Sequence, residues 1–261
     1  MRRMDFEIAP TDRPPPDLRR QYFEALGEPQ VHYVEQRVAR GSVFVIGSPA
    51  SPLGYLAIHD GAVVEFFVLN AALPRLSELF YQAAIQGGAA SAVIKSYDPL
   101  ALAAAAGRPV QMTTIDVNCI TWSDERFEPP AGFAARPGQA DDLHVLEGVG
   151  PGLWERPDEI SQDLQAGRIT IYEKDGAPVG CGVLSPVNEG AAVLDIGVGV
   201  LPAWRGKGLA EQIVRHLKLV CLRERRMRPV CGCAVENVAS RRTLERAGFL
   251  TRHRLLELTW Q

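Results

Sequence analysis

The sequence predicts an α/β fold, an α+β mixed sheet, in two domains over residues 1–128 and 129–261. Three observations lead there. Residues 194–200 alternate as a half-buried strand does, then pass through a glycine-containing turn into a helix whose Leu209, Ile213, Leu217 and Cys221 recur four apart. Residues 237–249 place an asparagine cap, a helix and a terminating glycine ahead of a last strand. A fainter version of the same order runs through the first half of the chain.

In that first half, residues 54–69 read as a hairpin turning at Asp60-Gly61, with Glu65 roughly where Asp195 stands in the second half. The stretch Asn70-Ala71-Ala72-Leu73-Pro74-Arg75-Leu76 follows, with no glycine turn. Residues 92–96 form a short strand, and Asp98 opens an alanine-rich helix ending at Gly107. Residues 127–132, Phe-Glu-Pro-Pro-Ala-Gly, read as a linker. From about Phe133 come a strand, helices, a strand at Ile169–Lys174, a turn at Asp175-Gly176 and a strand at 179–184. Then follow the strand Val193–Val200, the turn, a helix to about Glu224, a strand at 229–235, a helix at 237–247 and the strand Phe249–Thr259.

Composition narrows the class. The chain is 46% hydrophobic and 23% charged, an ordinary globular balance, with net charge -3. Residues 201–261 hold thirteen Lys and Arg against five Asp and Glu, so the acidic excess lies entirely in the remainder. That basic end suits a polyanionic ligand, although a solvated helix face accounts equally for Arg223, Arg225, Arg226 and Arg228. Acidic overall charge and the lack of an aromatic-basic platform argue against nucleic acid. The five cysteines are scattered, and Cys231-Gly232-Cys233 has no second pair or nearby histidine, so reduced core residues are expected and no metal. No apolar leader follows Met1 and no run approaches ~20 apolar residues; the expectation is a cytoplasmic protein with no membrane partner.

The turn Arg205-Gly206-Lys207-Gly208-Leu209-Ala210 carries the chemistry. A helix start has unpaired N–H groups and partial positive charge, and glycines admit a bulky anion to the backbone. A Walker loop is excluded because Lys207 lies between Gly206 and Gly208 and is followed by Gly208-Leu209, where Ser or Thr should come directly after the lysine. A dinucleotide fingerprint is excluded because Glu211 takes the place of its third glycine. What is left, [Q/R]-x-x-G-x-[G/A], is met by Arg205, Gly208 and Ala210. Together with Asn237-Val-Ala-Ser240 and Gly248-Phe249, it resembles the two signatures of the GNAT superfamily of acyl-coenzyme A N-acyltransferases, over about residues 133–261. The first half resembles a degenerate copy of the same fold, one that cannot bind coenzyme A in the usual way, with an unrelated α/β domain as the alternative; the resemblance implies a tandem GNAT protein.

The resemblance implies acetyl-CoA as co-substrate, held by the backbone of Val198, Gly199 and Val200, by the turn Arg205, Gly206, Lys207, Gly208, Leu209 and Ala210, and by Asn237 and Ser240. Arg205 and Lys207 are expected near the phosphates, and Arg241 or Arg242 near the 3′-phosphate. Pantetheine is expected between the strands at 193–200 and 229–235, in space that Gly197 and Gly199 leave free. Asp195 is the candidate base or base-positioning group, with a structural carboxylate fitting the position as well; Glu155 and Glu236 are weaker candidates. The tyrosine that serves many family members as general acid is replaced by Leu244. Trp154, after Gly150-Pro151-Gly152, falls on the expected acceptor side, and core packing explains it equally well. The implied reaction is acetyl transfer to a primary amine of a small molecule; an acyl-CoA sensor and a protein N-acetyltransferase are the alternatives, and a homodimer is one of the assemblies the sequence leaves open.

Overall fold

The computed structural model describes residues 6–48, 50–123, 127–150, 152–188 and 190–260. The N-terminal residues 1–5 and Pro151 of the Gly150–Gly152 stretch lie outside them. The chain divides into two compact units: Met1–Val117 with His253–Gln261, and Asn118–Arg252. The composition of residues 127–132 places a boundary at 128/129, whereas the units divide inside two strands. Residues 255–259 pair with the strand at Ser91–Lys95 and so go with the first unit, because a strand belongs to the sheet that satisfies its N–H and C=O groups.

The first unit contains β1 (Ile8–Thr11), α1 (Pro16–Ala25), α2 (His32–Arg40), β2 (Ser42–Ser48), β3 (Ser51–His59), β4 (Ala62–Val68), α3 (Leu76–Gln86), β5 (Ser91–Lys95), α4 (Pro99–Ala105) and the start of β6 (Gln111–Trp122). Strands β1 to β4 form an antiparallel meander, and β4 pairs in parallel with β5. The β3–β4 turn puts Asp60 at φ 50° and Gly61 at φ 71°, the left-handed pair that a tight hairpin requires. Leu56, Phe66, Leu79 and Phe80 centre the core. Residues 255–259 pair antiparallel with β5, and Trp260 packs edge-on against Phe80 and Tyr81.

The second unit contains the rest of β6, β7 (Phe133–Pro137), α5 (Leu143–Gly148), α6 (Pro157–Gln165), β8 (Ile169–Lys174), β9 (Ala177–Pro186), β10 (Val193–Val200), α7 (Leu209–Leu219), β11 (Arg228–Ala234), α8 (Val238–Arg246) and the start of β12 (Phe249–Thr259). Strands β7 to β10 are antiparallel neighbours, and β10 pairs in parallel with β11. On one face Leu194 and Ile196 meet Ile213, Val214 and Leu217 of α7 and Leu244 of α8. On the other, Cys181 and Val183 meet Val145, Val149 and Ile160 of the α5–α6 segment. The four-residue spacing of Leu209, Ile213, Leu217 and Cys221 is therefore core contact, all four being buried. The helix stops being α at Leu219 and finishes as a π turn, Val220–Arg225, which Arg226 closes at φ 55°. All five cysteines are free, and four are buried.

Candidate functional site

Strand β10 keeps company with β9 along seven residues, from Leu194 opposite Pro186 to Val200 opposite Gly180. Its pairing with β11 ends after Val193, Leu194 and Asp195. Beyond Asp195 the two parallel strands separate. Backbone direction alternates along a strand, and here the phase is fixed at both ends. The Ala192 carbonyl accepts from Arg228 N–H on the β11 side, and Leu201 N–H donates to Val179 on the β9 side. Val198 and Val200 therefore direct their backbone groups into the widening gap, while the Gly199 carbonyl stands against Gly180 of β9. Of the three consecutive residues singled out by sequence, two face the gap and one does not.

Side chains alternate as well. Asp195, Gly197 and Gly199 share the face covered by α5 and the loop after it. The space that the two glycines leave is filled from within the unit. A Cβ on Gly197 would come within 2.5 Å of Leu153 Cδ1, and one on Gly199 within 2.8 Å of Val149 Cγ2. The glycines thus admit this covering loop, which corrects the expectation that the space beside them is free for pantetheine. Asp195 stands opposite Ser185 at the last β11 pairing. Burial pushes the Cys221 thiol up to about 12, with the Asp195 charge a smaller contribution in the same direction.

At the end of β10 the chain makes one 3-10 turn, Pro202–Trp204, and enters α7 through Gly206 (φ 75°) and Gly208 (φ 76°). A Cβ on either glycine would meet nothing within 4 Å, so positive φ rather than crowding calls for glycine. Gly208 is the N-cap and no side chain caps the helix. The first helical bond runs from Gln212 N–H to the Gly208 carbonyl at 3.4 Å. The N–H groups of Leu209, Ala210 and Glu211 precede it and have no intrahelical acceptor. A helix start of this kind has the geometry and sign that suit an anion. Lys207 lies 4.6 Å over the Trp204 ring at its rim.

Arg205 behaves differently from expectation. Its Nε donates to the Val200 carbonyl at 3.1 Å and its Nη2 to the Val149 carbonyl at 2.8 Å. The guanidinium braces the strand end against the covering loop instead of reaching out from the turn. Asn237 likewise acts locally, its Oδ1 accepting from Ser240 N–H at 3.0 Å to cap α8. Arg241 lies 4.0 Å from Glu245, and Arg242 is exposed. Trp154 donates from Nε1 to Asp163 at 2.8 Å and packs on the α5–α6 core. Glu155 and Glu236 are exposed, and Cys233 Sγ contacts the Asn237 carbonyl. Leu244 is buried within the α7–α8 core.

The first unit repeats the strand arrangement and closes it. Strand β4 pairs with β5 only at Ala62–Ser91 and Val63–Ala92. Beyond that point Glu65 and Lys95 are both buried. Glu65 accepts from Arg19 Nε at 3.0 Å, Tyr55 Oη at 2.7 Å and Gln30 Nε2 at 3.1 Å, and Lys95 donates to Gln30. Asp98 caps α4 and accepts from Tyr22 Oη at 3.1 Å. No water-sized cavity remains between Glu65, Lys95 and Asp98. After β4 the chain takes a 3-10 turn through Pro74 in place of a glycine turn.

Sequence reasoning missed Val149 and Leu153, since nothing local marks a loop residue that will cover a strand fifty positions away. It also missed Asn118 of β6, whose Oδ1 and Nδ2 are buried with no partner among the described residues. Among the described residues no group of His, Cys, Asp or Glu is placed to hold a metal, and no helix is long and apolar enough to cross a membrane.

A profile described as the acetyltransferase (GNAT) family matches residues 141–249, and one described as an acetyltransferase (GNAT) domain matches residues 16–124. No curated protein sequence matches the chain significantly. Among solved structures, it is similar to an acetyltransferase from the GNAT family of Colwellia psychrerythraea. That pair has a TM-score of 0.83 and 14% identity over 98% of this chain and 100% of that one. A tandem GNAT protein from the clavulanic acid biosynthesis pathway gives 0.66 and 19%, covering 98% of each chain. A GCN5-related N-acetyltransferase from Sphaerobacter thermophilus gives 0.63 and 15%, over 97% of this chain and 95% of that one. At such identities the structures speak for the fold.

Proposed function

Because the chain belongs to the GNAT acetyltransferase family, with one such domain in each half, we propose that its second unit moves an acetyl group from coenzyme A to the primary amine of a small molecule. The observation that carries this reading is the divergence of β10 from β11 beside an uncapped, glycine-opened helix. The α7 N-terminus receives the pyrophosphate at Gly206, Lys207, Gly208, Leu209 and Ala210. Val198 and Val200 offer backbone groups along the gap for the pantetheine amides, and an N–H there can also stabilise a thioester oxyanion. Asn237 and Ser240 act through the shape of the α8 start.

The amine must be neutral to attack. Deprotonating a lysine-like amine with a pKa of ~10.4 costs roughly 4–5 kcal/mol at pH 7, and an α-amine near ~8 costs about 1 kcal/mol. Asp195, at the point where the strands part, is the group we assign to accept or relay that proton. Leu244 cannot return a proton to the thiolate, and a thiolate leaves without one. The first unit, its gap filled by Glu65, Lys95 and Asp98, holds no coenzyme A in this reading.

The test is free-thiol release from acetyl-CoA against a panel of small amines, with peptides bearing free α-amines or lysines alongside. Calorimetry should give one acetyl-CoA per chain, and Gly208→Glu should abolish it. Undiminished binding by that variant would overturn the cradle. A second reading, a non-catalytic acyl-CoA-binding protein, is favoured by one observation, the burial of Leu244 where an acid would stand. Tight binding with no thiol release across the whole panel selects it.

A further inference from the structure

We propose that Leu153 sets the length of the acyl group the second unit accepts, by standing on Gly197 where β10 leaves β11. The inference rests on the placement of acyl-coenzyme A in that gap. An acyl group delivered to the point of divergence, next to Asp195, has to leave the plane of the sheet toward one face. The α7 face is closed: Ile213 and Val214 are 0% exposed and Leu217 is 1% exposed, packed on Leu194 and Ile196. The opposite face carries Asp195, Gly197 and Gly199, with no side chain beyond the carboxylate. Its volume is therefore decided by what stands above it.

Among the described residues Leu153 meets Gly197 and Val149 meets Gly199, and the two differ in how firmly they are held. Val149 is buried, and its carbonyl accepts from Arg205 Nη2 at 2.8 Å. Leu153 is only partly buried, with its Cδ1 2.5 Å from where a Cβ of Gly197 would stand. Its neighbour Trp154 is anchored by the bond to Asp163 at 2.8 Å. Truncating Leu153 therefore removes three carbons from the wall while Val149 and Trp154 keep the loop in place. Three carbons is the difference in bulk between an acetyl group and a five-carbon acyl group.

The experiment uses the full chain, wild type and Leu153→Ala, titrated calorimetrically with coenzyme A, acetyl-CoA and pentanoyl-CoA. Leu153→Ala should improve the affinity for pentanoyl-CoA relative to acetyl-CoA at least tenfold and leave free coenzyme A within twofold. The same ratio should appear in kcat/KM once an amine acceptor is found. If Leu153→Ala does not fold, Leu153→Val removes one carbon, and its propionyl-to-acetyl affinity ratio should rise about threefold. An unchanged ratio in the folded variant overturns the role of Leu153 and leaves the transferase reading intact. Failure of the wild type to bind acetyl-CoA overturns both.

Discussion

Arg205 donates to the Val149 carbonyl at 2.8 Å, joining the residue that opens the glycine turn to the loop covering the opposite face of β10. Its second bond, to Val200 at 3.1 Å, makes the guanidinium a two-point brace. A lysine ammonium is a compact point charge and cannot reproduce a rigid fork. Arg205→Lys and Arg205→Ala should therefore behave alike. Each should lower the melting temperature by a few degrees and weaken acetyl-CoA binding several-fold, because the turn and the cover lose their common support. Retention of wild-type affinity by Arg205→Lys would show instead that charge alone matters at this position.

The strand order of the second unit was legible from Phe133 on because period-two and period-3.6 patterns report burial locally, as in Val193–Val200 and Leu209–Leu219, whereas β1, β2 and β6 were not read from the sequence. The glycine turn was legible because its φ values demand glycine. What lay outside the sequence was the destination of polar side chains. Asn237 caps its helix as the sequence pattern expects, but Arg205 sits in a motif position and its partner, the Val149 carbonyl, was settled by packing of the loop. The exchange of residues 255–259 into the first unit was illegible for the same reason: pairing with β5 is a long-range property.

Asp195 is tested by Asp195→Asn, which keeps shape and removes the proton acceptor. General-base catalysis contributes about 10²–10⁴ in rate, so kcat/KM for the best amine should fall by at least a hundredfold. Acetyl-CoA affinity should stay within twofold. The loss should be larger for lysine-like amines than for α-amines, whose deprotonation is less costly. Equal turnover by the variant at every pH from 6 to 9 would retire the role.

In the first unit, burial pushes the Glu65 carboxyl up, but the Arg19 guanidinium and, to a lesser extent, Lys95 and Tyr55 overcome it and hold it below its usual 4.5. A carboxyl with a lowered folded pKa contributes stability that is fully present above its unfolded value. That contribution is lost as pH falls through the folded value. Glu35 and Asp98, pushed up by burial, act in the opposite sense, so the comparison must be wild type against Glu65→Gln. The variant should be about 3 kcal/mol less stable at pH 7, as for a buried pair that has lost one partner. The difference should shrink below pH 4.5. Denaturant unfolding at pH 7 and pH 3.5 measures both, and a pH-independent difference would rule out the ionised carboxylate as its source.

Asn118 makes the opposite prediction. It is 0% exposed on β6, and neither its Oδ1 nor its Nδ2 has a hydrogen-bond partner among the described residues. Leaving a buried polar group unsatisfied costs about 1–3 kcal/mol, whereas an apolar side chain of similar shape carries no such penalty. Valine is close in volume, and its branched Cβ suits a strand. Asn118→Val should therefore raise the melting temperature by several degrees, a gain that few strand substitutions produce. Cys119, its neighbour, points into the α7–α8 core, so period-two alternation sends the Asn118 side chain to the face that also carries Asp195. If Asn118→Val melts higher and also loses kcat/KM for the amine while keeping acetyl-CoA affinity, the unsatisfied carboxamide serves the acceptor. If it melts lower than wild type, the carboxamide has a stabilising partner in solution and the cost assigned to it is wrong.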